Sequence, residues 1–396
     1  MRTIAVIGAS LAGLSAARAL RAQGYDGHLV IVGEEAHAPY DRPPLSKDFL
    51  LGEVTSGDIA LGSADDDGLA LSWRLGRAAV RLDRRGRMVT LDSGEELRVD
   101  GVVLATGARA RTLPGSADVS GVHTLRTLDD AVTLREALRR GGSLVVIGAG
   151  FIGAEVASAA RTLGLHVTVV EALPTPLSGM LGAEMGAVCA SLHADHGTRL
   201  ITGVGVAALI GAGPQGRGRI LGVRLEDGRQ LPADTVVVGV GAQPNVEWLA
   251  GSGLQIVGGV VTDATCATGV PGVVAVGDCA SSYSPDAGRH LRIEHWSHAL
   301  EQPATAAATL LAGERGGAAH SAVPYFWSEQ YGVRIQFAGH RRDGDTTRIV
   351  DGDPADRRLV ALYERDGQPV AVLGLNSPKM FTRFRHQLMS EASSAA

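Results

Sequence analysis

The apolar positions of this chain fall into short, nearly unbroken runs, each followed by a turn of small residues and then by a helical spacing. Thr3-Ile-Ala-Val-Ile7 is one such run, and Leu14 to Leu20 carries the helical period after it. Ser143-Leu-Val-Val-Ile147 repeats the pattern, with Ala154 to Leu163 as its helix. A continuous apolar run reads as a strand buried on both faces, and its alternation with helices predicts parallel, doubly wound sheets. A second strand follows in each copy, Leu29-Val-Ile-Val and His166-Val-Thr-Val-Val. Asp100-Gly-Val-Val-Leu-Ala-Thr-Gly107 and Asp234-Thr-Val-Val-Val-Gly-Val-Gly241 are a third matched pair, each ending in a small-residue turn. Asp129 to Arg140 reads as a helix between the copies, Gly269 to Asp278 as a further apolar strand, and Glu301 to Gly313 as a helix, Ala-rich from Ala304 through Leu311.

From about Ser321 the texture changes. Val333 to Ala338, Thr347 to Val350, Leu359 to Glu364 and Val370 to Gly374 are separated by Asp343-Gly and Asp366-Gly turns. Short alternating runs with such turns predict an antiparallel sheet. A helix is expected over Pro378 to Met389, followed by a frayed Ser/Ala tail.

The turns after the two leading strands carry the chemistry. They read Gly8-Ala-Ser10-Leu-Ala-Gly13 and Gly148-Ala-Gly150-Phe-Ile-Gly153, 140 residues apart. The first glycine of such a fingerprint makes the tight turn, the second lets backbone approach a pyrophosphate, and the third lets helix pack on strand. The helix N-terminus then offers free N–H groups and a positive dipole end to the anion. Ser10 replaces the middle glycine of the first copy. An ordinary Gly-rich turn is the plain alternative for either copy alone. Each, however, is also followed by a strand ending in an acid: Glu34-Glu35, beginning 26 residues past Gly8, and Glu171, 23 past Gly148. That spacing brings a carboxylate to an adenosine ribose. Two complete signatures imply two dinucleotides, hence electron or hydride traffic between them. Ligands of doubly wound sheets bind at the carboxyl ends of strands, so the Thr106-Gly107 and Gly241 turns are expected beside nucleotide.

The expected fold is therefore α/β, with two Rossmann-like dinucleotide-binding domains and a C-terminal α+β domain built on an antiparallel sheet. The boundaries read as 1–110 with 243–320 for the first domain, 111–242 for the second and 321–396 for the third.

Composition narrows the function. The chain has 396 residues and 45% hydrophobic content, with no run near the ~18 apolar residues of a membrane helix. The opening strand at residue 3 carries no charged-then-apolar secretory pattern, and a cytoplasmic enzyme is expected. A net charge of −5 argues against a nucleic-acid partner. Among 37 basic residues only Lys47 and Lys379 are lysines, an Arg bias without functional content. Cys189, Cys266 and Cys279 are widely spaced, which suggests free structural thiols, with no metal site and no flavin-coupled redox disulfide.

After the first acidic strand end comes Pro39-Tyr-Asp41-Arg42-Pro43-Pro44-Leu-Ser46-Lys47-Asp48. The Pro-Pro pair lacks two N–H donors and reads as a rigid, extended segment able to lie along a cofactor. With this segment, the motifs resemble, over nearly the whole chain, the FAD-dependent, NADH-linked ferredoxin reductases of bacterial oxygenases, within the glutathione-reductase-like two-dinucleotide flavoproteins. The resemblance implies that Gly8, Ser10 and Gly13 form the FAD pyrophosphate turn, with Thr106 and Gly107 over the FAD phosphates. Either Glu34 or Glu35 holds the ribose, the family pattern favouring Glu35. Arg42 is implied near the FAD phosphates and adenosine, and Lys47 near the isoalloxazine, where its charge could stabilise the reduced flavin. A solvated surface lysine is the alternative. Asp278 matches the residue that accepts from ribityl hydroxyls; its alternative is a strand-end Asp capping the next helix.

In the second copy the resemblance makes Gly148, Gly150, Gly153 and Glu171 an NADH site. Glu171 would bind both ribose hydroxyls and repel a 2′-phosphate, and Ala172-Leu-Pro-Thr175 offers no cation to hold one. Glu155 matches a residue near the nicotinamide, or else is a first-turn acid complementing the helix dipole. Seven of the chain's 16 aromatics fall between Tyr283 and Phe337. Glu294-His295-Trp296 resembles the segment at the flavin pyrimidine edge. Tyr325-Phe326-Trp327-Ser328 resembles the strand that meets the flavin and its acceptor, while an ordinary aromatic core fits Tyr331 and Phe337 better. The implied activity is hydride transfer from NADH to FAD, then one-electron release to a [2Fe-2S] ferredoxin. Arg341-Arg342 is a candidate acceptor patch, although residues 321–396 carry 10 basic and 9 acidic side chains. The rivals are an NADH-dependent rubredoxin reductase or NADH oxidase on the same fold, and a non-enzymatic NADH-responsive flavoprotein.

Overall fold

A computed structural model describes residues 1–85, 87–213, 218–313 and 317–395 of the chain. They fall into two units, residues 1–41, 59–109 and 243–326, and residues 42–58, 110–242 and 327–396.

The first unit is built on a five-stranded parallel sheet in the order Val273–Ala275, Gly101–Leu104, Thr3–Ile7, His28–Gly33, Leu71–Leu75. Ile4, Ala5, Val6 and Leu104 are fully buried, as strands covered on both faces require. The Leu11–Ala22 helix starts three residues before the expected Leu14 and packs Ala16, Ala17 and Leu20 onto the sheet. The Ala-rich helix spans Trp296–Ala312, so it begins at Trp296 and takes Pro303 into its interior. The sequence pattern did not give the fifth strand Leu71–Leu75. Half-exposed and interrupted by Ser72 and Arg74, it carries no apolar run.

The second unit repeats the arrangement: Val122–His123, Thr235–Val238, Ser143–Ile147, His166–Glu171 and Arg199–Thr202, all parallel. The helix after the second glycine turn is Phe151–Thr162, and that between the copies is Leu128–Arg139, closed at its start by a reciprocal Thr127–Asp130 capping box. The same unit holds the C-terminal antiparallel sheet, ordered Tyr325–Gln330, Val333–Gly339, Gln368–Leu375, Arg358–Arg365, Thr346–Asp353. Its Asp366-Gly367 turn has positive φ at both residues (51° and 77°), the geometry that joins hairpin strands through two residues. The last helix runs Pro378–Ala395 and buries Phe381. It continues past the expected Met389 to Ala395, Ser and Ala being compatible with a helix end.

Candidate functional site

The duplication is geometric as well as sequential. Gly8 and Gly148 have φ of 123° and 99°, and a Cβ on either would collide with a carbonyl, that of Ala105 or of Gly239. A Cβ on Gly13 or Gly153 would collide with the carbonyl of Gly8 or Gly148. These four glycines are fixed by backbone close to backbone. Around the Gly150 Cβ position, in contrast, there is open space within 4 Å. Room there is what lets a side chain stand at the matching Ser10, which holds the N-cap position of its helix as Gly150 does of its own. Neither helix has an acid in its first turn, so neither positive dipole end is offset by the helix's own side chains. The aspartates that open the matched strands are structural: Asp100 accepts from the Arg2 and Thr3 amides, and Asp234 from the Ser143 amide.

In the first unit the proposed FAD residues gather at the carboxyl end of the sheet. Thr106 adjoins the carbonyl that faces Gly8; its hydroxyl donates to the Asn245 carbonyl at 2.7 Å, and Asn245 Nδ2 donates back to Thr106 O at 3.0 Å. The Asn245 amide donates to Gly107 O. Asn245 was missed in the sequence because nothing there ties an asparagine to a turn 139 residues away. Asp278 lies within the 3₁₀ turn Gly277–Cys279, beside the first helix: a Cβ on Gly277 would stand 3.2 Å from Ala12 Cβ. The capping alternative for Asp278 fails, since the N-cap positions are Val276 for that turn and His295 for the next helix. Gln302 Oε1 accepts from the Gly277 amide and holds the turn. Glu294 pairs with Arg292, whose guanidinium also donates to the Asp278 carbonyl, which places the 294–296 segment beside the same turn. His295 lies 5.0 Å from the Phe326 ring, and Trp296 Nε1 donates to Asp41 at 2.7 Å. Glu35 accepts the Tyr40 hydroxyl at 2.5 Å, while Glu34 is exposed and lies in the field of Arg109.

In the second unit Glu171, at its strand tip, accepts from the Ala149 amide at 2.8 Å and the Leu173 amide at 2.9 Å. The carboxylate thus stands against the glycine turn. Gly241 (φ 102°) closes the neighbouring strand end. Arg42 donates to the Arg126 carbonyl. The Pro-Pro segment is not extended: Pro43–Ser46 forms a 3₁₀ turn leading into a short helix at Asp48–Leu51. Proline's fixed φ suits the first turn of a helix, where its missing N–H has no partner to lose.

That turn delivers Lys47 to Glu155. The ammonium donates to Glu155 Oε2 at 2.7 Å and to the Pro43 carbonyl at 3.0 Å. Ser46 donates to the same Oε2 at 2.5 Å; Ser328 donates to Oε1 at 2.6 Å, with the Glu329 amide at 3.3 Å. Glu155 is only 5% exposed. It is the fifth residue of its helix and bonds sideways to these donors, so the first-turn dipole reading is corrected. Breaking a buried, hydrogen-bonded ion pair by removing one partner costs about 3–5 kcal/mol. Trp327, half-buried, precedes Ser328 on the strand. Ser46 and Ser328 gave no signal in the sequence, where a serine beside a lysine or a tryptophan is unremarkable.

Of the Arg341-Arg342 pair, Arg342 is exposed and Arg341 is largely buried. Its side chain is 12% exposed and packs against the left-handed kink at Gly182, 3.2 Å from where a Cβ would stand. The three cysteines are free and buried. Burial pushes the Cys189 and Cys266 thiols up to about 12 and that of Cys279 upward, which disfavours thiolate chemistry. Among the described residues no helix is long and apolar enough to cross a membrane, and no group of three metal-ligating side chains occurs.

Comparison with known proteins agrees with this architecture. The pyridine nucleotide-disulphide oxidoreductase family matches residues 2–303, and a reductase C-terminal family matches residues 325–396. The chain is 40% identical over 355 residues to rhodocoxin reductase of Rhodococcus erythropolis, covering 88% of this chain and 81% of that one. It is 38% identical over 382 residues to the ferredoxin–NAD(+) reductase component of the biphenyl dioxygenase system of Paraburkholderia xenovorans, covering 96% and 91%. A chain of the covalent putidaredoxin reductase–putidaredoxin complex shares its fold with a TM-score of 0.91 at 32% identity, over 98% of this chain and 93% of that one. Two glycine turns of one geometry, each beneath its own parallel sheet and joined to a C-terminal antiparallel sheet, are thus those of an oxidoreductase, and the chain belongs to the pyridine nucleotide-disulphide oxidoreductase family, with a reductase-type C-terminal domain.

Proposed function

We propose that the chain is a cytoplasmic, FAD-containing, NADH-dependent reductase that passes electrons to a small [2Fe-2S] ferredoxin serving an oxygenase. The observation that carries the proposal is the pairing of two pyrophosphate-type turns with one geometry, the second of which has an acid, Glu171, bonded directly into the turn. The residues fit the two groups: backbone closes on backbone at Gly8, Gly13, Gly148 and Gly153, and open space lies at Gly150, where an anion would approach. Bound FAD and NADH would supply the chemistry, a hydride accepted from NADH and electrons released one at a time.

The protein's own part is binding and electrostatics. Gly8, Ser10 and Gly13 would hold the FAD pyrophosphate on the helix N-terminus, with Thr106 and Gly107 alongside, Arg42 toward the phosphates, and Asp278 on the ribityl hydroxyls. Glu294, His295 and Trp296 would border the flavin ring. Gly148, Gly150, Gly153 and Gly241 would cradle NADH, and Glu171 would select it over NADPH. Lys47, held by Glu155, would set positive charge beside the reduced ring. Trp327 would face the acceptor. We further propose three domains, 1–110 with 243–320 for FAD, 111–242 for NADH, and 321–396 for the C-terminal domain. The buried, high-pKa cysteines support an acceptor outside the chain rather than a thiol relay.

The test is anaerobic rapid mixing of the purified protein with NADH, followed by a plant-type [2Fe-2S] ferredoxin and cytochrome c. Fast bleaching of the flavin with ferredoxin-dependent cytochrome reduction is expected. Bleaching without that dependence turns the reading toward a rubredoxin reductase or an oxidase. Slow bleaching with no turnover favours an NADH-responsive binding protein, and no flavin at all overturns the proposal.

A further inference from the structure

We propose that Ser328 is a positioning residue for the Lys47–Glu155 pair, fixing how much positive charge that pair presents to the flavin; this rests on the role given to Lys47 above. Glu155 takes four donors, two on each oxygen: Ser46 and Lys47 on Oε2, Ser328 and the Glu329 amide on Oε1. The side opposite the lysine is thus held by one stretch of strand. Ser328 is fully buried, and its hydroxyl is used in both senses, donating to Glu155 while accepting from Gln330 Nε2 at 3.1 Å. One donated and one accepted hydrogen bond hold the hydroxyl in this orientation. The strand alternation that buries Ser328 also sets its neighbour Trp327 on the opposite face.

A hydroxyl dipole aimed at a buried carboxylate offsets part of its negative charge. Remove it, and Glu155 neutralises more of the Lys47 charge. Less cation is then left to stabilise a ring that becomes more negative on reduction. The loss therefore lowers the reduction potential of the bound flavin. Ser46 acts on the other oxygen and is expected to shift the potential the same way.

The experiment is the midpoint potential of the flavin in purified holoprotein, measured anaerobically against indicator dyes, with thermal stability measured in parallel. Ser328→Ala is expected to lower the two-electron equilibrium constant roughly three- to ten-fold, about 15–30 mV. Ser328→Thr, which keeps the hydroxyl, should return most of that shift. Ser158→Ala is the control: its hydroxyl accepts the Tyr331 amide at 2.8 Å in the same unit without touching Glu155. It should lower the melting temperature and leave the potential alone. A wild-type potential in Ser328→Ala overturns the proposal, whatever happens to stability. So does an equal shift in Ser158→Ala. Should Ser328→Ala fail to accumulate, Ser328→Cys keeps the volume, weakens the donor and is read in the same way. A wild-type protein that binds no flavin overturns the function beneath the proposal, and that failure is seen before any variant is made.

Discussion

Gly33 and Glu171 hold the same register position in the two halves of the chain. Each is the residue that follows the last position of its strand paired with the leading strand, after Val32 opposite Ile7 and after Val170 opposite Ile147. A Cβ on Gly33 would collide with the Cβ of Ala9 in the first glycine turn, so the first half cannot carry its acid where the second does. Glu34 and Glu35 lie in the bend just past that strand end, where the acid of the first half must come from. Glu35 already accepts a hydroxyl, from Tyr40, whereas Glu34 is exposed on the Arg109 side. Glu35→Gln is therefore expected to weaken FAD binding roughly tenfold, the scale of one hydrogen bond to a charged group, with Glu34→Gln close to wild type. Flavin retained per protein after dialysis, and fluorescence titration of the stripped protein, read this directly. Equal losses in both variants would refute the assignment.

A preference for NADH over NADPH is expected from Glu171. Its two oxygens accept from Ala149 and Leu173 at 2.8 and 2.9 Å, which fixes a carboxylate at the mouth of the turn, and residues 172–175 supply no cation against it. A 2′-phosphate placed there meets like charge. Glu171→Arg with Ala172→Arg should lower the NADH-to-NADPH ratio of kcat/KM at least roughly tenfold. Glu171→Gln separates charge from scaffold, because an amide oxygen can still accept one of the two turn amides. An unmoved ratio in the double variant sinks the assignment.

Gly148 and Gly150 stand two residues apart and should behave oppositely. Gly148→Ala forces a Cβ onto the Gly239 carbonyl at a φ of 99°, and is expected to destabilise the fold by about 1–3 kcal/mol as well as weaken NADH binding. Gly150→Ala enters open space, so its melting temperature should match wild type. Its Cβ lies where the pyrophosphate would approach, so KM for NADH should rise several-fold with little change in flavin content. A Gly150→Ala enzyme with wild-type KM would place the pyrophosphate elsewhere.

What could be read from the sequence was whatever repeats locally. The two leading strands, both turns and the Asp366-Gly367 hairpin depend on apolar runs and turn chemistry within a few residues. The residues around the glycine turns came with them, since strand-end acids keep a fixed distance from the fingerprint. What was hidden depends on long-range contacts. Ser46 and Ser328 meet on Glu155 from 109 and 173 residues away, and Asn245 clasps Thr106 across 139. The Pro43-Pro44 segment misled for a different reason. Proline fixes only φ, which an extended chain and a helical first turn share, and the choice between them falls to ψ.

The last prediction concerns pH. His193 is 2% exposed; its Nδ1 lies 2.8 Å from the Tyr331 hydroxyl, which Thr198 also reaches at 3.0 Å, and His196 stacks on the Tyr331 ring at 4.7 Å. Burial pushes the His193 imidazole down to about 4 and the Tyr331 phenol up to about 12. An unfolded histidine titrates near 6.5. Above that pH neither state takes a proton at this site and the contribution of His193 is fully present. As pH falls from about 6.5 toward 4 the unfolded chain binds a proton that the fold refuses, and on the order of 2–3 kcal/mol of stability is lost. His193→Gln removes that titration while keeping a polar side chain of similar reach. The variant should be less stable than wild type at pH 7.5, with the gap between their melting temperatures narrowing steadily down to pH 4.5. Carboxylates titrate equally in both proteins and cancel in the difference. Melting curves that stay parallel over the range would mean that His193 is protonated in the fold as readily as in the unfolded chain, and that its contact with Tyr331 does not depend on the neutral ring.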